Sequence, residues 1–188
     1  MAKHPWRRLA AWSVDCVCIL GWCAMIAAVG VPLYLSGGLH RLDPLALNVV
    51  SAALVVVPVA VGLSVAESVL GGATPGKRLF RLAVRDAATG GRVRFSKALL
   101  RNCLKVGLPW AIGHAAVIGI VAGGPGDPSP AVDVLLVLAY ALPIVYVVSL
   151  FPGSGLTPYD RAAATTVTLV AARTEENPAR TVDQAGSR

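Results

Sequence analysis

Apolar residues along this chain gather into four long runs, at about residues 12–34, 45–70, 103–122 and 131–151. Each run is close to the roughly 20 residues that an α-helix needs to cross a hydrocarbon core, so the pattern predicts four transmembrane helices. Each run carries a proline: Pro32, Pro58, Pro109 and Pro143. A proline inside a helix leaves one carbonyl without its amide partner, and in a membrane a neighbouring helix can supply the missing donor. Pro58 and Pro143 lie near mid-run and predict kinks. The break "GGPGDPSP" between the last two runs is full of turn-formers, so these runs are expected as a tight antiparallel pair. Gly119 and Gly123 stand at the small-xxx-small spacing that lets two helices approach closely. The tail, 173–188, is polar and aperiodic and is expected to be a disordered cytoplasmic segment, leaving one membrane domain over 1–172.

A different period governs the break between the second and third runs. In "RLAVRDAATGGRVRF", Leu82, Val84, Val93 and Phe95 fall on one face and Arg81, Arg85, Arg92 and Arg94 on the other, around a Gly-Gly turn. Alternation of this kind predicts a β-hairpin with strands near 80–85 and 92–96. Its apolar face would rest on the membrane. Its arginines, with Lys77 and Arg78, would contact anionic lipid headgroups, or simply form a solvated face that sets topology. Ser96 is a candidate cap for a helix entering the third run. The expected fold is therefore an all-α membrane protein, a bundle of four transmembrane helices with a short cytoplasmic β-hairpin between spans two and three.

Composition agrees, with 14% charged residues against about 25% in soluble domains, and 55% hydrophobic residues. The net charge of +7 is unevenly placed. Lysines and arginines number three before the first run, one in the first break, nine from Lys77 to Lys105, none in the third break and four beyond the last run. This alternation predicts a multi-pass protein of the cytoplasmic membrane with both termini cytoplasmic. It accounts for the excess charge without nucleic acid, which is not an expected partner. The first run is too long for a signal-peptide core and reads as a retained helix.

Few residues offer chemistry. Cys16, Cys18, Cys23 and Cys103 lack metal-site spacing and read as small apolar fillers. "GGATPGKR" has the spacing of a phosphate-binding loop but carries Arg78 where magnesium needs Ser or Thr. Thr74 as a helix cap and Pro75 in the first helical position is the better reading, with Gly76 and Lys77 at the headgroups. His114 lies within the third run and is expected to hydrogen-bond a neighbouring helix. No nucleophile–base pair and no cofactor motif is present, so neither an enzyme nor a cofactor is expected. Asp15 poses the sharpest question, because a carboxylate inside a membrane helix costs several kcal/mol unless partnered. Arg8 lies on the same helix face, about 10 Å away. Glu67, Arg101, Lys105 and Asp160 fall at the same end of the other runs. Arg8, Asp15, Glu67, Arg101 and Asp160 thus form a candidate charge cluster or ion site, with Asp15 expected to pair with Arg8, Arg101 or Lys105.

Arg8-x-x-Ala11-x-x-x-Asp15 resembles the opening motif of the RDD membrane proteins, named for one arginine and two aspartates. "TPGKRLFRLAVRD" is similar to that family's central signature, and "ALLRN", with Arg101, follows at the expected distance. "YDRAAATTV" resembles the closing Asp-x-x-x-Gly-Thr-x-Val, with Asp160, Thr165 and Val167 matching and Ala164 in place of glycine. The resemblance implies three or four spans in the cytoplasmic membrane, with transport the suggested task. Two functions follow. One is a small ion or solute transporter component in which Asp15 and Glu67 bind protons or cations. The other is a non-catalytic membrane scaffold or accessory subunit in which the cluster only locks helices. The expected partners are the bilayer, its anionic headgroups, and a second copy or other membrane proteins.

Overall fold

The computed structural model describes residues 4–38, 43–124 and 126–170; the tail 173–188 lies outside the described residues. Four helical stretches are long and apolar enough to cross a membrane. The first two are α1, Pro5–Leu35, and α2, Pro44–Ser68. The third joins α4, Phe95–Asn102, to α5, Leu108–Gly123, through a π-helical turn at Cys103–Gly107. The fourth is α6, Pro130–Val148. Two five-residue helices, α3 (Pro75–Leu79) and α7 (Pro158–Ala162), and two strands, β1 (Leu82–Asp86) and β2 (Thr165–Leu169), follow α2 and α6 respectively. Burial is inside-out relative to a soluble protein: Val29 and Val121 are each 70% exposed, while Arg101 is 1% and Glu67 0% exposed. That order suits apolar surroundings for the long helices.

Neighbouring helices take up the carbonyls released at two of the prolines, Pro58 and Pro109. Pro58 denies a donor to the Leu54 carbonyl one turn earlier, and the indole N–H of Trp22 on α1 donates to it at 3.1 Å. In the π-helical turn each carbonyl pairs with the amide five residues on, as Cys103 does with Leu108. The corresponding partner of Leu104 would be Pro109, which has no N–H, and the Tyr146 hydroxyl of α6 donates to Leu104 instead, at 2.8 Å. α5 and α6 pack side by side, and a Cβ on Gly119 would lie 2.5 Å from Val132 Cγ2. His114 stacks on Trp110 of its own helix, at 4.9 Å between ring centroids.

The sheet departs from the expected hairpin. β1 exists where the alternation placed it, but it pairs antiparallel with β2, with Val84 opposite Val167 at the centre of the register. The chain does fold back after β1, where the Asp86 amide donates to the Gly91 carbonyl, but ladder pairing there is limited to a bridge between Arg85 and Arg92. Two local causes end it: α4 begins at Phe95, with Arg94 at its cap and Ser96 inside the helix, and the other edge of β1 is filled by β2. Leu82, Val84 and Val93 are buried within the protein, so they do not rest on lipid; Phe95 is 42% exposed.

The segment 72–84 is repeated at 155–167, an offset of 83 residues. Gly72, Thr74, Pro75, Arg78 and Val84 correspond to Gly155, Thr157, Pro158, Arg161 and Val167. Thr74 and Thr157 each cap a short helix that carries proline in its first turn. Arg81 and Ala164, equivalent again, both have positive φ (54° and 49°) immediately before a strand. The flanking bonds match as well: the Val170 amide donates to Arg81 at 2.8 Å, and the Ala87 amide to Ala164 at 2.9 Å. Two long helices, a short helix and a strand thus occur twice, and a local two-fold axis passes between Val84 and Val167.

Ala164 is held left-handed by bonds on both its amide and its carbonyl, and its methyl is exposed. A left-handed conformation costs a Cβ-bearing residue roughly 1–2 kcal/mol, partly offset in glycine by backbone entropy. Ala164→Gly will therefore stabilise the protein by about 0.5–1 kcal/mol, seen as a raised melting temperature in detergent.

Candidate functional site

Asp15 lies within the first three turns of α1 and is 2% exposed. Its partners are neutral groups of α3, not a cation. The Thr74 hydroxyl donates to Oδ2 at 2.6 Å and the Gly76 amide donates to Oδ1 at 2.9 Å. The local sequence explains the geometry. Thr74 sits at the cap and also accepts from the Lys77 amide. Pro75 has no amide, so Gly76 offers the first free N–H of the helix. Gly76 alone permits the approach, since a Cβ there would lie 2.0 Å from the Ala11 carbonyl oxygen. The expected pairing of Asp15 with Arg8, Arg101 or Lys105 is thus replaced by a helix N-terminus, a favourable place for a carboxylate.

Lys77 corrects a second expectation. Only 6% exposed, it does not reach the headgroups but donates to Glu67 at the end of α2. Burial holds its ammonium below the usual lysine range, with Glu67 acting in the opposite sense. Glu67 also accepts from Arg101 at 2.6 Å and from the Asn102 amide at 3.1 Å. Arg101 reaches the other way as well, donating from Nε to Asp160 Oδ1 at 2.8 Å, with Tyr159 beneath its guanidinium at 5.3 Å. Asp160 forms a reciprocal cap with Thr157 on α7 and accepts from Arg8 at 2.5 Å. Arg8 also donates to the Gly155 carbonyl at 2.5 Å. Burial raises the Asp160 carboxyl, but Arg101 and Arg8 outweigh it and hold it well below the usual carboxylate range.

The structure therefore brings Arg8, Glu67, Arg101 and Asp160 into one network and reaches Asp15 through α3. From Arg8 on α1 it passes to Asp160 on α7, Arg101 on α4, Glu67 on α2 and Lys77 on α3, then returns through Gly76 and Thr74 to Asp15 on α1. The result is a closed belt across five helices. Of the remaining basic residues, Arg78 is exposed and donates to the Ala73 and Leu70 carbonyls; Arg81, Arg92 and Arg94 are exposed and Arg85 is half-buried. Asp86 pairs with Lys97 at 2.6 Å, and that hydrogen bond holds its carboxyl below the usual range.

Beside the belt lies a cavity of about 550 Å³, bounded by α1 on one side and by α5 and α6 on the other. Ile19, Leu20, Val106 and Val147 line its apolar walls; Asp15, Lys77, Arg101 and Lys105 line its belt end. A family model matches this arrangement's sequence: the RDD family, over residues 2–164.

The chain belongs to the RDD family. The RDD match takes in Arg8, Asp15, Arg101 and Asp160 and ends just before β2. No curated protein and no solved structure matches the chain. Sequence reasoning about this RDD protein overlooked Thr74, Gly76, Asn102 and Thr157 as members of the belt. The shared signal was the Thr-Pro pair at 74–75 and 157–158, which marks a capped helix start at both places.

Proposed function

We propose that this RDD protein is a four-span bundle of the cytoplasmic membrane, with both termini and the 71–102 segment on the cytoplasmic side, that serves as the solute-binding component of a small transporter. The cavity between α1 and the α5–α6 pair is the observation that carries this reading. At about 550 Å³ it falls within the range of small-molecule sites, with apolar walls and a few polar groups gathered at one end. The belt holds the helices around it and is not itself the transported ion's site. Asp15, Glu67 and Asp160 are all engaged by hydrogen-bonding partners within the protein, which leaves no carboxylate open to a transported ion. Arg81, Arg92 and Arg94 on the exposed face meet anionic headgroups.

Cys16 lines the cavity from α1, so Cys16→Trp would fill it without touching the belt. In proteoliposomes, wild-type protein will dissipate an imposed pH gradient or take up labelled solute from a panel of small ions and organic acids. Cys16→Trp, equally folded, will lose most of that flux. Absence of flux in wild-type protein, with the belt variants affecting only assembly, supports the second reading, a non-catalytic scaffold. The full pairing of the belt favours that alternative.

A further inference from the structure

The belt balances almost all of its charge. Arg8, Lys77 and Arg101 stand against Asp15, Glu67 and Asp160, which leaves one buried cation over: Lys105. It is 9% exposed, and among the described residues it has neither an ion pair nor a hydrogen bond. Its ammonium lies over the Trp12 ring, 3.5 Å from the centroid. A cation–π contact gives attraction but no acceptor for the three N–H groups. The residue sits in the π-helical turn, a geometry that recurs at functional sites because it redirects side chains from the regular helical path. Lys105 lines the cavity, and so does Trp110, whose indole N–H is buried without a hydrogen-bond partner. Both residues therefore border a space whose apolar walls include Ile19, Leu20, Val106 and Val147, and whose belt end also carries Asp15, Lys77 and Arg101.

Resting on the reading of this cavity as a solute site, we propose that it binds an acidic amphiphile, with the oxyanion at Lys105 and Trp110 and the acyl chain along the walls. An oxyanion would supply the acceptors that both donors lack and would neutralise the surplus charge where water is scarce. The apolar walls would gain nothing from a small hydrated anion but would cover a hydrocarbon chain. A fatty acid and an anionic phospholipid share this chemistry.

The test uses the full chain purified in a neutral maltoside detergent, with binding read from quenching of tryptophan fluorescence by brominated acyl chains. Trp12 and Trp110 both line the cavity. The ligands are brominated fatty acid, brominated phosphatidylglycerol and brominated phosphatidylcholine, with inorganic phosphate as competitor. Quenching by one or both acidic ligands at concentrations where phosphatidylcholine has no effect is expected, and the stronger of the two identifies the source. Lys105→Met will weaken that binding by about ten- to a hundredfold, the scale of a hydrogen bond to a charged group. The same variant removes an unpaired buried charge, so it will melt no lower than wild type in the absence of ligand. Loss of binding in a stable protein thus separates a ligand contact from a fold contact. Equal affinity for phosphatidylcholine, unchanged binding by Lys105→Met, or displacement by inorganic phosphate alone would overturn the inference while leaving the cavity a solute site. Failure of every acyl ligand to quench would overturn the inference, and the solute-site reading would fall with it only if wild-type protein also showed no flux that Cys16→Trp removes.

Discussion

Replacing Gly76 by alanine will leave little folded protein. The added Cβ would lie 2.0 Å from the Ala11 carbonyl oxygen and 2.9 Å from Asp15 Oδ1. Neither atom belongs to the free end of a flexible side chain. Ala11 is α1 backbone, and Asp15 is fixed by Thr74 and Gly76 themselves. Relief requires α1 and α3 to separate, which breaks both hydrogen bonds to a carboxylate that is 2% exposed. Overpacking costs about 1–3 kcal/mol in a core that can relax, and orphaning a buried charge adds several more. The sum is comparable to the whole stability of many domains. Gly113→Ala is the matched control, since nothing lies within 4 Å of its added Cβ. Size-exclusion chromatography in detergent should show a monodisperse peak for Gly113→Ala and mainly aggregate for Gly76→Ala. A monodisperse Gly76→Ala protein with wild-type melting would mean that the α1–α3 contact is not built this way.

Arg101→Leu will be the most damaging change of a charged residue. Arg101 touches both Glu67 and Asp160, so its loss strips a cation from two carboxylates that are each 0% exposed. Breaking a buried pair from one side costs about 3–5 kcal/mol because the charge left behind is not rehydrated. Neither carboxylate is left without a cation. Glu67 keeps Lys77, and Asp160 keeps Arg8. Arg101→Lys will recover only part of the loss, because one ammonium cannot replace the separate Nη1 and Nε donors. Adding Glu67→Gln to Arg101→Leu should be less harmful than the sum of the two single changes, as expected for coupled charges. Strict additivity of melting shifts would contradict the network.

Much of this architecture was legible in the sequence, for reasons of scale. A run of about 20 apolar residues is a signal no short-range effect can imitate, so the four long helices followed from it. Their ends did not. α1 starts at Pro5 and not near residue 12, since its first turns carry Arg8 and Asp15 into contacts with distant parts of the chain. Alternation located β1 but could not name its partner, because Val84 and Val167 lie 83 residues apart and their pairing leaves no mark in a local window. Arg8, Glu67, Arg101 and Asp160 were found together because charges at one depth must pair. That same logic points Asp15 to the wrong partners. Its partners are a hydroxyl and an amide, which carry no charge in the sequence, and only the order Thr-Pro-Gly hints at them. The basic neighbours of Lys77 suggest a surface residue, although Glu67 stands ten positions earlier.

The repeat constrains how the belt can be built. Lys77 and Asp160 occupy equivalent places, each in the third position of a Thr-Pro-capped helix, yet carry opposite charge. Two identical half-length chains assembled about the same axis would have to place the same residue at both sites. A belt that alternates sign, lysine to glutamate to arginine to aspartate, is closed to such a symmetric pair. Joining the halves into one polypeptide frees the two positions to diverge, and it is this divergence that lets Lys77 answer Glu67 while Asp160 answers Arg101 and Arg8. The sign of this single pair of residues thus makes the two halves unlike, and the belt needs them in one chain.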